Sequence, residues 1–340
     1  MLQYFPYPLL NKFYIVKKIN ELASKNISFL FVIDFKGEEG YVISSAELDE
    51  HFVKFDFGDN QSELKSILKP TDNLENDNEL FYWDIIPVSF DAYLQKFNFL
   101  QTQIRLGNSY LVNLTQPTKL HSNLSLLDLY KKGRAKYKLW LKDKFTVLSP
   151  ETFIQIKHGK IAAFPMKGTI DASIPHAEDL ILNDPKEKAE HATIVDLIRN
   201  DLNMVAEHVE VKRYRYLDRL STNRIDLLQV SSEITGELPE DYLSYLGDII
   251  FMLLPAGSIC GAPKSKTVDI IESAENYERE FYTGICGWFD GENLDSAVMI
   301  RFVEQQGENL IFKSGGGITA MSDVVKEYNE LIQKVYAPIY

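Results

Sequence analysis

One lysine, Lys167, stands in "FPMKGTID" (164–171) between a proline and a Gly-Thr pair, where a strand end should run into a tight turn. A small residue would pack there more easily, so a long cationic side chain at this point needs a reason. Two acidic pairs share the spacing E-x-x-E: Glu187 and Glu190 in "NDPKEKAEHATIVDLIRNDL" (183–202), and Glu327 and Glu330 in "SDVVKEYNELIQKV". Residues three apart on a helix lie about 5–6 Å from each other, and hard carboxylate oxygens suit magnesium. The two pairs read differently on a helical wheel. With Ile194 at zero, Glu187 falls at about 20° and Glu190 at about −40°, in the sector of Ile198 and Val205. Buried there, both need compensation, for which a divalent cation is a natural candidate. The competing reading is a first turn in water whose acids favour the helix dipole. With Tyr328 at zero, Glu327 lies at about −100° and Glu330 at about −160°, away from Val324, Leu331, Ile332 and Val335. Glu330 can pair with Lys334 four residues on, so spacing alone makes the second pair surface acids.

Three glycine-bearing stretches add further candidates. "PAGSICGAPKSK" (255–266) has the outline of a phosphate loop entering a helix, but Ala262 and Pro263 stand where that motif wants Gly and a free N–H, which excludes the nucleotide reading. It still sets backbone amides and Lys264 at a helix start, a fair place for a carboxylate. "SGGGI" (314–318) permits left-handed backbone at successive positions, giving either an anion-holding nest or a strained turn. "SAVMIR" (296–301) reads as a strand ending on Arg301, by itself a surface salt-bridge partner more readily than a ligand clamp.

The elements that would position these residues are mixed. "ISFLFVIDF" (27–35) and "GYVISS" (40–45) are Phe-, Val- and Ile-rich strands, and "SYLVNLTQ" and "YTGICGWFDG" (282–291) read likewise. Phe90, Tyr93, Leu94, Phe97, Leu100 and Ile104 recur at helical spacing after Ser89, a cap, with Gly107 as a stop. Further helices are expected at 185–206, 240–253, 264–275 and 322–336, the first opened by Asp184 and Pro185. The polar stretch at 69–80 reads as a surface loop or linker. No repeat or low-complexity tract occurs.

Composition sets the outer limits. The chain has 340 residues, 45% of them hydrophobic, enough for a large buried core. Its formal charge of −13 would repel nucleic acid and anionic membrane at long range, so any anionic ligand must be met by local cations. Neither a signal-peptide core nor about 18 uninterrupted apolar residues is found. The two cysteines, Cys260 and Cys286, are too few for a disulfide scaffold or a thiolate metal site, and a reducing cytoplasm is the expected location.

Taken in order, "GNSYLVNLTQ", "LSPETF", "PMKGT", "AEHATIVDLIRNDL", "GSICGAPK", "YTGICGW", "MIR", "SGGGI" and the final E-x-x-E resemble the chorismate-utilising enzymes from about Gly107 to the chain end. The resemblance implies an α+β fold of large antiparallel β-sheets packed together with helices on the outside. It implies a single chorismate-binding catalytic domain over 1–340, with 1–106 a shortened β-rich N-terminal portion and 107–340 the family core. In that family the position of Lys167 is typically alanine in anthranilate and isochorismate synthases and lysine in the aminodeoxychorismate synthase branch. The implied role is a nucleophile that attacks C2 of chorismate and expels the C4 hydroxyl, after which ammonia enters at C4. Such an amine must be a free base, which desolvation or a neighbouring cation favours.

By the same resemblance, Glu151 of Ser-Pro-Glu would be the general acid and base, needing a pKa raised by burial. Glu187, Glu190, Glu327 and Glu330 would hold Mg2+ directly or through water, against the wheel reading of the second pair. Tyr282, Arg301 and the backbone of Gly315, Gly316 and Gly317 would grip the enolpyruvyl carboxylate, Arg301 by two parallel hydrogen bonds. Ser258 and Thr169 would bind substrate, and Lys264 and Lys334 would add positive charge. Three positions depart from the family pattern: Gln229 where many relatives have histidine, Cys260 for Ser or Thr, and Leu111 for a common Gln. Gln229 cannot shuttle a proton, which places more weight on Glu151. No Leu-Leu-Glu-Ser stretch of the tryptophan-feedback kind is present. Neither cysteine sits in a G-x-C-x-G elbow, so ammonia is expected from a separate glutamine amidotransferase subunit. The alternatives are another chorismate enzyme, anthranilate synthase above all, and a non-catalytic relative.

Overall fold

The structure is a computed structural model and describes residues 4–57, 81–221, 226–336 and 338–339. The expected loop at 69–80 lies outside the described residues. Two antiparallel sheets form the body. The ten-stranded one runs Leu10–Asn11, Glu39–Ser44, Phe29–Ile33, Ile285–Phe289, Leu294–Val298, Thr152–Lys157, Lys160–Ala163, Asp226–Glu237 and Met166–Asp171, with Glu207–Ser221 added on Asp226–Glu237. The eight-stranded one runs Gly261–Ala262, Leu111–Ser122, Asn309–Thr319, Phe302–Gln306, Phe145–Ser149, Tyr137–Leu141 and Val53–Phe57, with Trp83–Ile86 on Leu111–Ser122. This is the α+β architecture the resemblance implies.

Burial explains the sequence of the strand "FLFVI". Phe29, Phe31 and Ile33 face a core shared with helices, alongside Ile15, Ile19, Tyr93, Phe97 and Leu246. Leu30 and Val32 face the other sheet, packing with Phe55, Tyr137, Phe145, Trp288 and Phe302. A strand covered on both faces is apolar at every position rather than alternating. Phe29 pairs with Phe289 and Ile33 with Ile285, so this N-terminal strand lies in the ten-stranded sheet beside a strand from the C-terminal half.

Most expected elements are present. The helix Phe90–Arg105 is capped by Ser89, whose side chain accepts from the Ala92 N–H, with Asp91 in its first turn and Arg105 in its last, as the helix dipole favours. The helix Pro185–Asn203 starts under the Asp184 cap, which accepts from Glu187 N–H at 2.9 Å. Four expectations are corrected and one helix is added. A helix at Lys12–Ser24, capped by Asn11 and burying Ile15, Ile19 and Ala23, lies in a stretch the sequence reading left unassigned. The 240–253 segment is split into a tight turn at Tyr242–Tyr245 and a helix at Leu246–Met252, and the last helix is only Val324–Gln333. The "SAVMIR" strand stops at Val298, and Arg301 follows with φ 52°. "SGGGI" is neither nest nor turn: Gly315, Gly316 and Gly317 are extended within Asn309–Thr319 and pair with Thr115, Leu114 and Asn113.

Two of the chain's crossings between the sheets lie side by side. Phe145–Ser149 of one sheet leads through Pro150 and Glu151 into Thr152–Lys157 of the other. Leu294–Val298 leads back through Met299, Ile300 and Arg301 into Phe302–Gln306. The crossovers are bonded to each other: Val298 N–H donates to Glu151 O at 3.1 Å, Leu148 N–H to Arg301 O at 3.2 Å, and the Ser149 hydroxyl to Val298 O at 2.7 Å. Backbone groups that leave a ladder must find partners when buried, and these two segments satisfy one another.

Candidate active site

Lys167 sits on a β-bulge. Met166 pairs with Ser231 and Thr169 with Gln229, so Lys167 and Gly168 together oppose one residue of the neighbouring strand. The bulge redirects a side chain that regular pairing would hold in the pleat. Gly168 supplies the left-handed conformation, φ +83°, and lets the strand press on the Pro185–Asn203 helix: a Cβ here would lie 3.0 Å from Glu187 Oε2. The Lys167 amine reaches toward the second sheet, where a Cβ on Gly317 would lie 3.7 Å from Nζ. Its positive charge acts on Glu151, Glu187, Glu190 and Glu330.

Glu151 lies in one sheet crossover and Arg301 in the other. Burial pushes the Glu151 carboxyl above the ordinary glutamate range, opposed by a hydrogen bond from Ser258 and by the charges of Lys167, Arg301 and Lys334. Tyr282 is buried, and burial raises its phenol despite Arg279 and Arg301 nearby. The Arg301 guanidinium lies 5.0 Å from the Tyr336 ring. Glu151 and Ser258 line a mainly apolar pocket, narrow inside at about 30 Å³, walled by Phe153, Ile198, Leu202, Leu253 and Val298.

The two acidic pairs meet across the cleft. Glu190 and Glu327 are both buried, so the wheel reading of Glu327 as a surface acid does not hold. It faces the second sheet because the Gly316 strand runs beneath it, a Cβ on Gly316 lying 3.7 Å from Glu327 Oε2 and from Lys334 Nζ alike. Glu330 is exposed and pairs with Lys334 at 2.7 Å. Burial raises Glu187 and Glu190. In Glu330 burial acts upward too, but Lys334, Lys186 and Lys167 bring it below the ordinary range. Lys186, which the sequence reading passed over, bridges the pairs, 3.7 Å from Glu190 and 3.3 Å from Glu327. Its signal was its place four residues before Glu190.

The donors fit a hard divalent cation in kind: all are carboxylates, and Glu190 Oε1 is buried with no hydrogen-bond partner. Among the described residues no three His, Cys, Asp or Glu side chains are gathered closely enough to form a finished cage.

The remaining residues are placed as follows. Lys334 also donates to Gly315 O at 3.1 Å. Thr169 is exposed on the strand beyond the bulge, opposite Gln229. Lys264 is engaged elsewhere, with Asp201 at 2.6 Å and Leu253 O at 2.8 Å. Leu111 is buried, with its Cδ1 2.9 Å from where a Gly317 Cβ would lie. Burial pushes the Cys260 thiol up to about 11, so it stays protonated. His191, one turn beyond Glu187, is fully buried against Ser232 at 2.7 Å, and burial lowers it to about 4, leaving it neutral.

Residues 23–340 match the family of chorismate binding enzymes, and the chain belongs to it. The match begins well before Gly107, where the recognisable motifs start. An uncharacterised PabA-like protein of Pasteurella multocida is 45% identical over 324 residues, 95% of this chain and 98% of that protein. An aminodeoxychorismate synthase component 1 of Klebsiella aerogenes is 33% identical over 73% of this chain and 57% of its own. An anthranilate synthase component 1 of Thermococcus kodakarensis is 30% identical over 74% of this chain and 60% of its own. The fold is similar to that of anthranilate synthase component I from Streptococcus pneumoniae, with TM-score 0.66 and 20% identity, covering 98% of this chain and 81% of that one.

The bulge gives a direct test of the geometry. Gly168→Ala forces a side chain into left-handed backbone, at a cost of about 1–2 kcal/mol, and into the Glu187 carboxylate. Urea denaturation should show that loss, and chorismate turnover should fall further than stability alone explains. Unchanged stability would mean that the bulge is absent in solution.

Proposed function

We propose that this protein is component I of an aminodeoxychorismate synthase, converting chorismate and ammonia to 4-amino-4-deoxychorismate for 4-aminobenzoate and folate synthesis. The observation that carries this reading is Lys167 on its bulge, its charge acting on four carboxylates, with burial raising the Glu151 carboxyl above the ordinary glutamate range. Lys167 attacks C2 of chorismate and both conjugated ring double bonds shift, C1=C2 to C1=C6 and C5=C6 to C4=C5, so that the C4 hydroxyl departs as water with a proton from Glu151. Ammonia then adds at C4, both double bonds return, and the C2–nitrogen bond breaks to free the lysine, while Glu151 takes up the proton lost by the added ammonia. Arg301 and Tyr282, with the backbone of Gly315 to Gly317, hold the enolpyruvyl carboxylate, while Ser258 orients Glu151. Thr169 is placed as a further substrate contact and Lys334 as local positive charge.

Glu187, Glu190, Glu327 and Glu330 are the residues that would hold Mg2+, which when bound neutralises the ring carboxylate of the substrate. Ammonia comes from a separate glutamine amidotransferase, in keeping with the "component 1" names of relatives. The two cysteines are free and buried, which suits a reducing cytoplasm. Anthranilate synthesis is the second reading, supported by the relative of that name at 30% identity. Lysine at 167 argues against it.

Three outcomes test the reading. Purified chain with chorismate, Mg2+ and an ammonium salt should give a product that aminodeoxychorismate lyase converts to 4-aminobenzoate. Lys167→Ala should lower that rate by at least about 100-fold; near-normal turnover would remove the covalent lysine. Anthranilate as product would move the protein to the other branch.

Because burial raises Glu151, the acid form persists to higher pH than in an ordinary glutamate. At constant free ammonia, turnover should hold below that raised pKa and fall as pH climbs through it. Glu151→Gln should abolish this alkaline limb together with most activity. A persisting limb would assign it to another group.

Glu187→Gln should weaken Mg2+ binding by calorimetry. Unchanged metal titration would take Glu187 out of the metal set.

A further inference from the structure

Lys264 is the first residue of the helix Lys264–Glu275, where a cation meets the positive end of the helix dipole. That position is unfavourable for the helix itself, so the charge must be accounted for by what it reaches. Its amine donates to Leu253 O at 2.8 Å and to Asp201 at 2.6 Å. Leu253 is the C-cap of Leu246–Met252, whose terminal carbonyls attract a cation. Leu253 and Lys264 are also the two ends of the loop 254–263, so the amine ties the loop's base shut. Asp201, on the Pro185–Asn203 helix, fixes that tie against the floor of the site. Both side chains are largely buried, at 15% and 13% exposure, where an ion pair is screened far less than at the surface.

The loop closed in this way carries Ser258, which stands with Glu151 in one pocket wall and favours its ionised carboxylate against burial. Ser258 sits in the tight turn Gly257–Ile259, and Gly257 lies against the same helix, a Cβ there falling 2.9 Å from Leu197 and 3.4 Å from Asp201 Oδ2. Glu151, Asp201, Gly257 and Ser258 line one cavity. We propose that Lys264 is a positioning residue: clamped between Asp201 and the Leu253 carbonyl, it holds the 254–263 loop so that Ser258 orients the Glu151 carboxyl, rather than meeting the substrate itself. The inference rests on the reading of Glu151 as the proton-transferring group.

The test is a double-mutant cycle on chorismate consumption, read whatever the product. Lys264→Met and Ser258→Ala should each lower kcat about tenfold with KM for chorismate within about twofold, and the double variant should be no worse than Ser258→Ala alone. Lys264→Arg, which keeps a donor for both partners, should restore most of the rate. Hydrogen exchange at the amides of 254–263 should quicken about tenfold in Lys264→Met and in Asp201→Asn, without faster exchange in the sheets. If Lys264→Met raises KM and its effect adds to that of Ser258→Ala, the lysine binds substrate and the proposal fails. Unchanged exchange in the loop overturns it as well, including in a preparation without turnover. Formation of anthranilate by the wild type would defeat the functional reading above while leaving the cycle to be read on that reaction.

Discussion

Everything in the cleft depends on keeping opposite charges together out of water. Glu151, Glu187, Glu190 and Glu327 are drawn into a space between two sheets, where an isolated carboxylate would cost several kcal/mol even after relaxation. Lys167, Lys186, Lys334 and Arg301 enter the same space from different elements. No single pair settles the balance: Lys186 lies between two glutamates of different helices, and the charge of Lys167 is felt by four. The arrangement leaves one carboxylate oxygen of Glu190 without a hydrogen-bond partner, Lys186 standing off at 3.7 Å. A buried group left unsatisfied in this manner marks where a ligand, water or ion has something to complete.

The sheets make this balance possible. Glu151 and Arg301 come from two neighbouring segments where the chain passes from one sheet to the other, and those segments bond to each other. Lys167 comes from the edge of the ten-stranded sheet, and Gly317, which faces it, comes from the eight-stranded one. The glycines act by omission. Side chains on Gly316 and Gly317 would fill the room now shared by Glu327, Lys334 and Lys167.

How much of this was legible beforehand varied with the kind of signal. Local caps and periodicity marked the Phe90–Arg105 and Pro185–Asn203 helices, because Ser89 and Asp184 satisfy amides only a few residues away. The apolar run at Phe29–Ile33 showed a strand, though not that both its faces were covered. The wheel placed Glu187 and Glu190 correctly beside the apolar stripe. It misplaced Glu327, since it compares a residue only with its own helix and cannot see a glycine strand arriving from another part of the chain. "SGGGI" was misjudged for a related reason: glycine permits left-handed turns but also permits close approach, and only the pairing with Asn113 to Thr115 decides which.

The sequence by itself determined the chemistry available: one lysine before Gly-Thr, a glutamate after Ser-Pro, two E-x-x-E pairs, an arginine, and the ordered motifs that identify the family. Those are properties of residue type and order, carried by covalent structure. The tertiary structure alone decided which of them face one another. It sent Lys167 out of its strand by a bulge, set Glu151 beside Ser258, joined the acidic pairs through Lys186, and turned Lys264 toward Asp201. Such relations arise from sheet pairing and crossover between residues far apart in the chain, and no local pattern encodes a distance across a cleft.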